Sequence, residues 1–216
     1  MKPLNQCVLY GIVDTGYLRR DQLSAMASQL IQGGADILQL RAKNKSEEEI
    51  LSLALEIAPL CRGASIPFIL NDHPELVARS GADGVHIGQD DHSVADARQI
   101  AGPSAIVGKS THSLEQALEA AEEHPDYIGF GPIFATPTKP DYVPIGTELI
   151  AQIHSRLRLP IFCIGGIKLS NLPQILGAGA KRVAIVSDLL QAPDPQTQTA
   201  RCKAALQNPF PIRGGE

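Results

Sequence analysis

Residues 33–43 read Gly-Gly-Ala-Asp-Ile-Leu-Gln-Leu-Arg-Ala-Lys, a helix end that leads into an apolar strand. A glycine can close a helix in the left-handed conformation, after which the chain enters a strand. The apolar run then ends in the polar residues Arg41 and Lys43. The same opening returns at Gly81-Ala82-Asp83-Gly84 and at Gly179-Ala180-Lys181-Arg182, each time leading into another apolar run.

Working outward from it, strands are expected at about 7–13, 36–41, 67–70, 84–87, 105–108, 126–130, 160–164 and 182–186. These runs are short, rich in Val, Ile and Leu, and bounded by Gly, Pro or Asp. Continuous apolar runs suit parallel strands buried on both faces. Amphipathic stretches lie between them. Asp21 is expected to cap a helix whose apolar face carries Leu23, Met26, Ala27 and Leu30, and Gly33 and Gly34 end it. Ser46 with Glu49 reads as a capping box for a helix with Ile50, Leu53, Ala54 and Ile57 on one face. Further helices are expected at 74–80, 93–101, 113–123, 147–157, 171–177 and 187–207.

Eight strands alternating with helices admit a closed barrel or an open doubly wound sheet. The strand count and the length of 216 residues favour a single (β/α)8 TIM barrel. No G-x-G-x-x-G follows the first strand, which weakens a dinucleotide-binding fold. The expected domain is 1–208, with a loose tail at 209–216.

A hydrophobic content of 44% is enough for a sizeable core. The formal charge of −4 and the lack of a Lys/Arg block argue against a nucleic-acid partner, so an anionic ligand must be held by local positive charge. The four cysteines show no paired C-x-x-C spacing, which argues against zinc; Cys7 and Cys163 lie in apolar runs and read as core packing. Free thiols suit a reducing cytoplasm. The run Met1–Val13 is too short for a signal peptide, and no apolar run reaches the roughly 18 residues of a membrane span. Association into a homo-oligomer is compatible with the sequence.

The polar residues cluster just after the expected strands, where barrels of this class build their active sites. Gln39 lies near the end of strand 2, Arg41 and Lys43 come after it, and Asn71 and Asp72 come after strand 3. Gln89, Asp90 and Asp91 follow strand 4, and Lys109-Ser110-Thr111-His112 follows strand 5. Thr136-Pro137-Thr138-Lys139 follows strand 6, Gly165-Gly166 strand 7 and Val186-Ser187 strand 8. The last two loops suggest a phosphate site, since glycines let backbone N–H groups approach an anion and a helix start adds partial positive charge. The alternative is that Gly165-Gly166 is only a tight turn. Asp72 and Asp91 suggest one Mg2+ shared between adjacent loops, because magnesium takes one or two carboxylates plus substrate phosphates. The alternative is that both are helix caps. Arg41, Lys43 and Lys139 could stabilise charge on a departing pyrophosphate.

Two features mislead. Residues 102–110, G-P-S-A-I-V-G-K-S, look like a P-loop, but five residues separate the glycines where the motif needs four, and they include a strand. The six histidines show no metal-binding spacing. His86 is expected to serve packing or a hydrogen bond, and His112 is the one expected to face the site.

Q-L-R-A-K at 39–43, N-D at 71–72, V-H-I-G-Q-D-D at 85–91, S-T-H at 110–112, G-P-I-F-A-T-P-T-K at 131–139, I-G-G-I at 164–167 and V-S at 186–187 together resemble the thiamine-phosphate synthase family over nearly the whole chain. The resemblance implies that Gln39, Leu40, Arg41, Ala42, Lys43, Asn71, Ser110 and Lys139 bind hydroxymethylpyrimidine pyrophosphate. It implies that Asp72 and Asp91 bind Mg2+, and that Thr136, Pro137, Thr138, Gly166, Val186 and Ser187 bind the thiazole phosphate. Lys139, Arg41 and Ser110 would stabilise the leaving group in a dissociative reaction that needs no general base. Ala42 departs from the acid usual between the Arg and Lys, Asp90 stands where Glu is common, and 140–144 is idiosyncratic.

The nearest rival is the related thiazole tautomerase, in which His112 would be catalytic. A noncatalytic sensor of thiamine-related phosphates and a sugar-phosphate epimerase are further alternatives. No DNA-reading element favours the sensor, and the epimerase would need more His ligands at strand ends.

Overall fold

The computed structural model describes residues 1–136 and 142–208. Each apolar run becomes a strand: β1 Leu9–Asp14, β2 Ile37–Arg41, β3 Phe68–Asn71, β4 Gly84–Ile87, β5 Ile106–Thr111, β6 Tyr127–Phe130, β7 Ile161–Cys163 and β8 Val183–Ile185. All pair in parallel in chain order, and β1 also pairs with β8, so the sheet closes into a barrel. The intervening helices are α1 Leu23–Gln32, α2 Glu47–Gly63, α3 Val77–Ser80, α4 Val94–Ala101, α5 Leu114–Glu122, α6 Ile150–Arg156, α7 Leu172–Gly177, α8 Ser187–Leu190 and α9 Pro195–Gln207. The architecture is the expected (β/α)8 barrel. The expected tail, 209–216, lies outside the described residues.

Two cores follow from the period-2 alternation of strand side chains. Leu38, Leu40, Val85, Ile87, Val107 and Ile128 point outward and pack against the helices. Tyr10, Ile12, Ile37, Ile69, Tyr127, Phe162 and Ala184 point inward and fill the barrel. Glycine is required at 108, where a Cβ would lie 2.1 Å from the Tyr127 ring. Gly108 sits within β5, so the P-loop-like run 102–110 includes a strand and cannot form that loop.

The capping box forms: Glu49 N donates to Ser46 Oγ at 3.3 Å, and Ser46 N donates to Glu49 Oε2 at 3.0 Å. Two local expectations change. Asp21 does not cap α1; it lies in a 3-10 turn, Arg20–Gln22, and its carboxylate pairs with Arg19. The helix expected over 187–207 is two, because Pro193 interrupts it and Asp194 caps a new start, accepting from Thr197 N at 3.0 Å ahead of Pro195.

All four cysteines are free and buried. Burial pushes the Cys163 thiol up to about 12, so it is an inert packing group. On α6, burial pushes His154 down to about 4, helped by the positive charges of Lys181 and Arg182. Its Nε2 has no hydrogen-bond partner among the described residues. A histidine depressed from 6.5 binds fewer protons folded than unfolded, so its contribution to stability is full above pH 6.5 and is lost as pH falls through 4. His154→Leu should therefore raise the melting temperature at pH 5 more than at pH 7.5. Equal shifts at the two pH values in a thermal unfolding series would assign the acid sensitivity to another group.

Candidate active site

The carboxyl ends of the strands open into one cavity, and strand alternation explains which residues reach it. On β2, Gln39 and Arg41 face inward and line the cavity, whereas Leu40 and the following Ala42 belong to the outer core. Any ligand contact by Leu40 or Ala42 would run through backbone atoms. Asn71 from β3, Ser110 from β5 and His112 just beyond it line the same space. So do Thr136 after β6, Gly166 after β7, and Val186 and Ser187 after β8. Pro137, Thr138 and Lys139 lie outside the described residues.

Arg41 is held in place from below. Its Nη1 donates to Asp14 Oδ2 at 2.7 Å, and Asp14 is almost wholly buried at the end of β1. The other oxygen of Asp14 accepts from Gly16 N at 2.8 Å. A guanidinium anchored on one side presents its remaining donors in a fixed fork suited to phosphate oxygens. Asp14 had no motif to announce it; the signal was an acid at the end of an otherwise apolar strand.

Asp72 and Asp91 stand on the adjacent loops after β3 and β4, and neither caps a helix. Asp72 adopts a left-handed φ of 69°, donates its N–H to His86 O at 2.9 Å, and pairs its carboxylate with the Lys43 ammonium. Asp91 Oδ2 accepts from Gly88 N at 2.6 Å, while Ser93 caps α4. Among the described residues no group of three or more His, Cys, Asp or Glu side chains could hold a metal ion. A cation here would have at most two protein carboxylates and would complete its shell with ligand and water oxygens. The donor chemistry fits magnesium, and the Lys43 ammonium already sits on Asp72 as a cation.

The backbone at Gly165 and Gly166 demands glycine. Both have positive φ, 95° and 62°, and a Cβ would come within 2.4 Å of Pro132 at the first and 2.5 Å of Ala135 O at the second. Phe134 N donates to Gly165 O at 3.0 Å, so the loops after β6 and β7 are packed as one wall. His112 Nδ1 lies 2.5 Å from Gly131 O, which makes Nδ1 the protonated nitrogen. His112 also stacks at a tilt on Tyr142, with ring centroids 4.4 Å apart.

The cavity also holds Thr111, together with Tyr10, His86 and Tyr127 from within the strands, which the sequence did not place at the site. His86 makes hydrogen bonds, as expected, but makes them inside the barrel mouth. The alternation of inward Gly84 and His86 with outward Val85 and Ile87 was the available signal.

Comparison with known proteins agrees with this geometry. A family model described as thiamine monophosphate synthase matches residues 9–189. A thiamine-phosphate synthase from Halalkalibacterium halodurans is 42% identical over 187 residues, covering 86% of this chain and 89% of that protein. A thiamine-phosphate synthase from Shouchella clausii is 38% identical and covers 96% of this chain and 98% of its own. Among solved structures, thiamine phosphate pyrophosphorylase from Pyrococcus furiosus superposes with a TM-score of 0.88 at 29% identity, covering 97% of this chain and 100% of the other. With the barrel, the cavity and these relatives in agreement, the chain belongs to the thiamine monophosphate synthase family.

Proposed function

We propose that this chain is a transferase that joins hydroxymethylpyrimidine pyrophosphate to thiazole phosphate, giving thiamine monophosphate and pyrophosphate. The observation that carries the reading is convergence. Gln39, Arg41, Asn71, Ser110, Thr136, Gly166, Val186 and Ser187 come from six strand ends and line one cavity, in a chain whose relatives are thiamine-phosphate synthases.

Gln39, Arg41, Asn71 and Ser110 would hold the pyrimidine pyrophosphate, with Lys43 and Lys139 on its anionic end and Leu40 and Ala42 contributing backbone contacts. Thr136 to Thr138, Gly166, Val186 and Ser187 would hold the thiazole phosphate. Asp72 and Asp91 would hold one Mg2+, which supplies Lewis-acid stabilisation of the pyrophosphate oxygens. The Lys43 ammonium that pairs with Asp72 stands beside this position and would add positive charge for the diphosphate.

The bond between the pyrimidine methylene carbon and the pyrophosphate oxygen breaks first, and its electron pair leaves on that oxygen. The thiazole nitrogen then supplies its lone pair to the methylene carbon. That nitrogen carries no proton, so no general base is needed. Arg41, held by Asp14, and Ser110 stabilise the charge on the leaving oxygens, and the buried barrel mouth limits capture of the cation by water. No helix among the described residues is long and apolar enough to cross a membrane. A cytoplasmic setting and small-molecule partners, without nucleic acid, belong to the same proposal.

The test is a two-substrate assay with magnesium, reading thiamine phosphate and pyrophosphate together. Isomerisation of carboxythiazole phosphate without coupling would favour the tautomerase, with His112 as its base. Binding of product without turnover would favour a sensor.

A further inference from the structure

In the wall of the cavity, five polar side chains form one continuous hydrogen-bonded chain. Gln39 Nε2 donates to Tyr10 Oη at 2.8 Å. Tyr10 Oη and Tyr127 Oη are 2.9 Å apart. Tyr127 Oη lies 3.1 Å from His86 Nδ1, and His86 Nε2 lies 2.8 Å from Ser110 Oγ. These residues come from β2, β1, β6, β4 and β5. All five line the cavity; Gln39, Tyr10 and Tyr127 are buried, whereas His86 and Ser110 are partly exposed. Gly108 is what leaves room for the Tyr127 ring.

Proton counting gives the chain a direction. A phenol has one proton to donate. Either phenol could donate across the 2.9 Å contact, but Tyr10 accepts from Gln39 and Tyr127 is the acceptor that its own buried proton reaches among the described residues, so satisfying that proton sends it to Tyr127. The Tyr127 proton then goes to His86 Nδ1. An Nδ1 that accepts leaves the ring proton on Nε2, which donates to Ser110 Oγ. The Ser110 proton is thereby left for the cavity. Burial raises the pKa of both phenols well above the usual tyrosine value, so neither loses its proton and breaks the sequence.

We propose that Gln39, Tyr10, Tyr127 and His86 are positioning residues that polarise Ser110 as a hydrogen-bond donor into the cavity. The direction matters because the two polarities present opposite chemistry. In the proposed direction, Ser110 meets a lone-pair or anionic acceptor, such as an oxygen of the departing diphosphate. In the reverse direction, Ser110 would spend its proton on His86 and present only lone pairs, which repel that oxygen. The choice of acceptor rests on the synthase reading; the polarity of the chain does not.

The decisive measurement is the His86 tautomer in the ligand-free full-length protein. Long-range proton–nitrogen correlation on 15N-histidine-labelled protein reads it, with His86 assigned by its loss in His86→Gln. The Nε2–H tautomer is expected. The Nδ1–H tautomer, or an imidazolium at neutral pH, would overturn the proposal. Tyr127→Phe removes the donor to Nδ1 and should give a mixture of tautomers. Its kcat should fall about ten-fold, the worth of one lost positioning hydrogen bond. KM for both substrates should stay within about two-fold, because ground-state binding is retained. A fall in kcat with the His86 tautomer unchanged would reduce Tyr127 to a packing role and overturn the relay. If Tyr127→Phe fails to fold, the wild-type tautomer still decides. If the wild type makes no thiamine phosphate, the synthase reading fails while the tautomer result stands apart from it.

Discussion

Asp72→Asn should lower turnover by about two to three orders of magnitude while leaving the melting temperature within a few degrees of wild type. Several kcal/mol of charge stabilisation would be at stake if Asp72 helps to hold a cation for the leaving diphosphate, and each decade of rate is worth about 1.4 kcal/mol. Asparagine is the informative replacement. Asp72 has φ 69°, a left-handed conformation that asparagine tolerates and alanine does not. The Asp72 N–H to His86 O bond is backbone-borne and survives the change. What disappears is the carboxylate charge that pairs with Lys43 and would hold magnesium. The loss should show as reduced kcat and a raised magnesium requirement in the two-substrate assay. Wild-type turnover in Asp72→Asn at limiting magnesium would remove this residue from the metal site.

The largest stability effect is expected at the opposite end of the barrel. Asp36→Ala should cost about 3–5 kcal/mol, the usual penalty for removing one partner from a buried ionic cluster. For a chain of this size that is a fall of roughly 10 °C in melting temperature. Asp36 Oδ2 accepts from Val8 N at 2.9 Å and Leu9 N at 3.0 Å, and its carboxylate pairs with both Lys2 and Lys203. The cluster ties the residues before β1, the start of β2 and α9 together. Its loss leaves two backbone donors and two ammonium groups without their acceptor. Burial acts to raise the Asp36 pKa, but the two lysines and the two backbone N–H groups outweigh it and the pKa is lowered. A depressed carboxylate contributes fully above its unfolded pKa of about 3.9 and loses that contribution as pH falls through the lower folded value. Asp36→Asn keeps one acceptor oxygen and should lose less than Asp36→Ala. A melting temperature within about 2 °C of wild type for the alanine variant would show that the cluster adds little.

Strand and helix positions were legible because their signals are local. An apolar run of four to six residues bounded by glycine, proline or aspartate needs no distant partner to be read, and its side-chain period identifies the inward residues. The positions of Asn71, Ser110, Gly166 and Ser187 at strand ends followed from the same reading, because closure of the barrel brings all strand ends to one rim. Helix boundaries were less legible where capping depends on competing partners. Asp21 pairs with Arg19 rather than capping α1, and Asp194 with Pro195 divides the last helix.

The order of apolar runs, glycine turns and polar strand ends pointed to the barrel and to the face that carries the cavity, and the resemblance of the linked motifs implied the family. Only the tertiary structure decided that Asp14 anchors Arg41, that Lys43 sits on Asp72, and that Tyr10, Tyr127 and His86 connect Gln39 to Ser110. The physical reason is that a strand's burial depends on its own few residues, whereas a hydrogen bond depends on angstrom-scale placement of groups separated by tens to more than a hundred positions, such as Tyr10 and Tyr127 at a separation of 117.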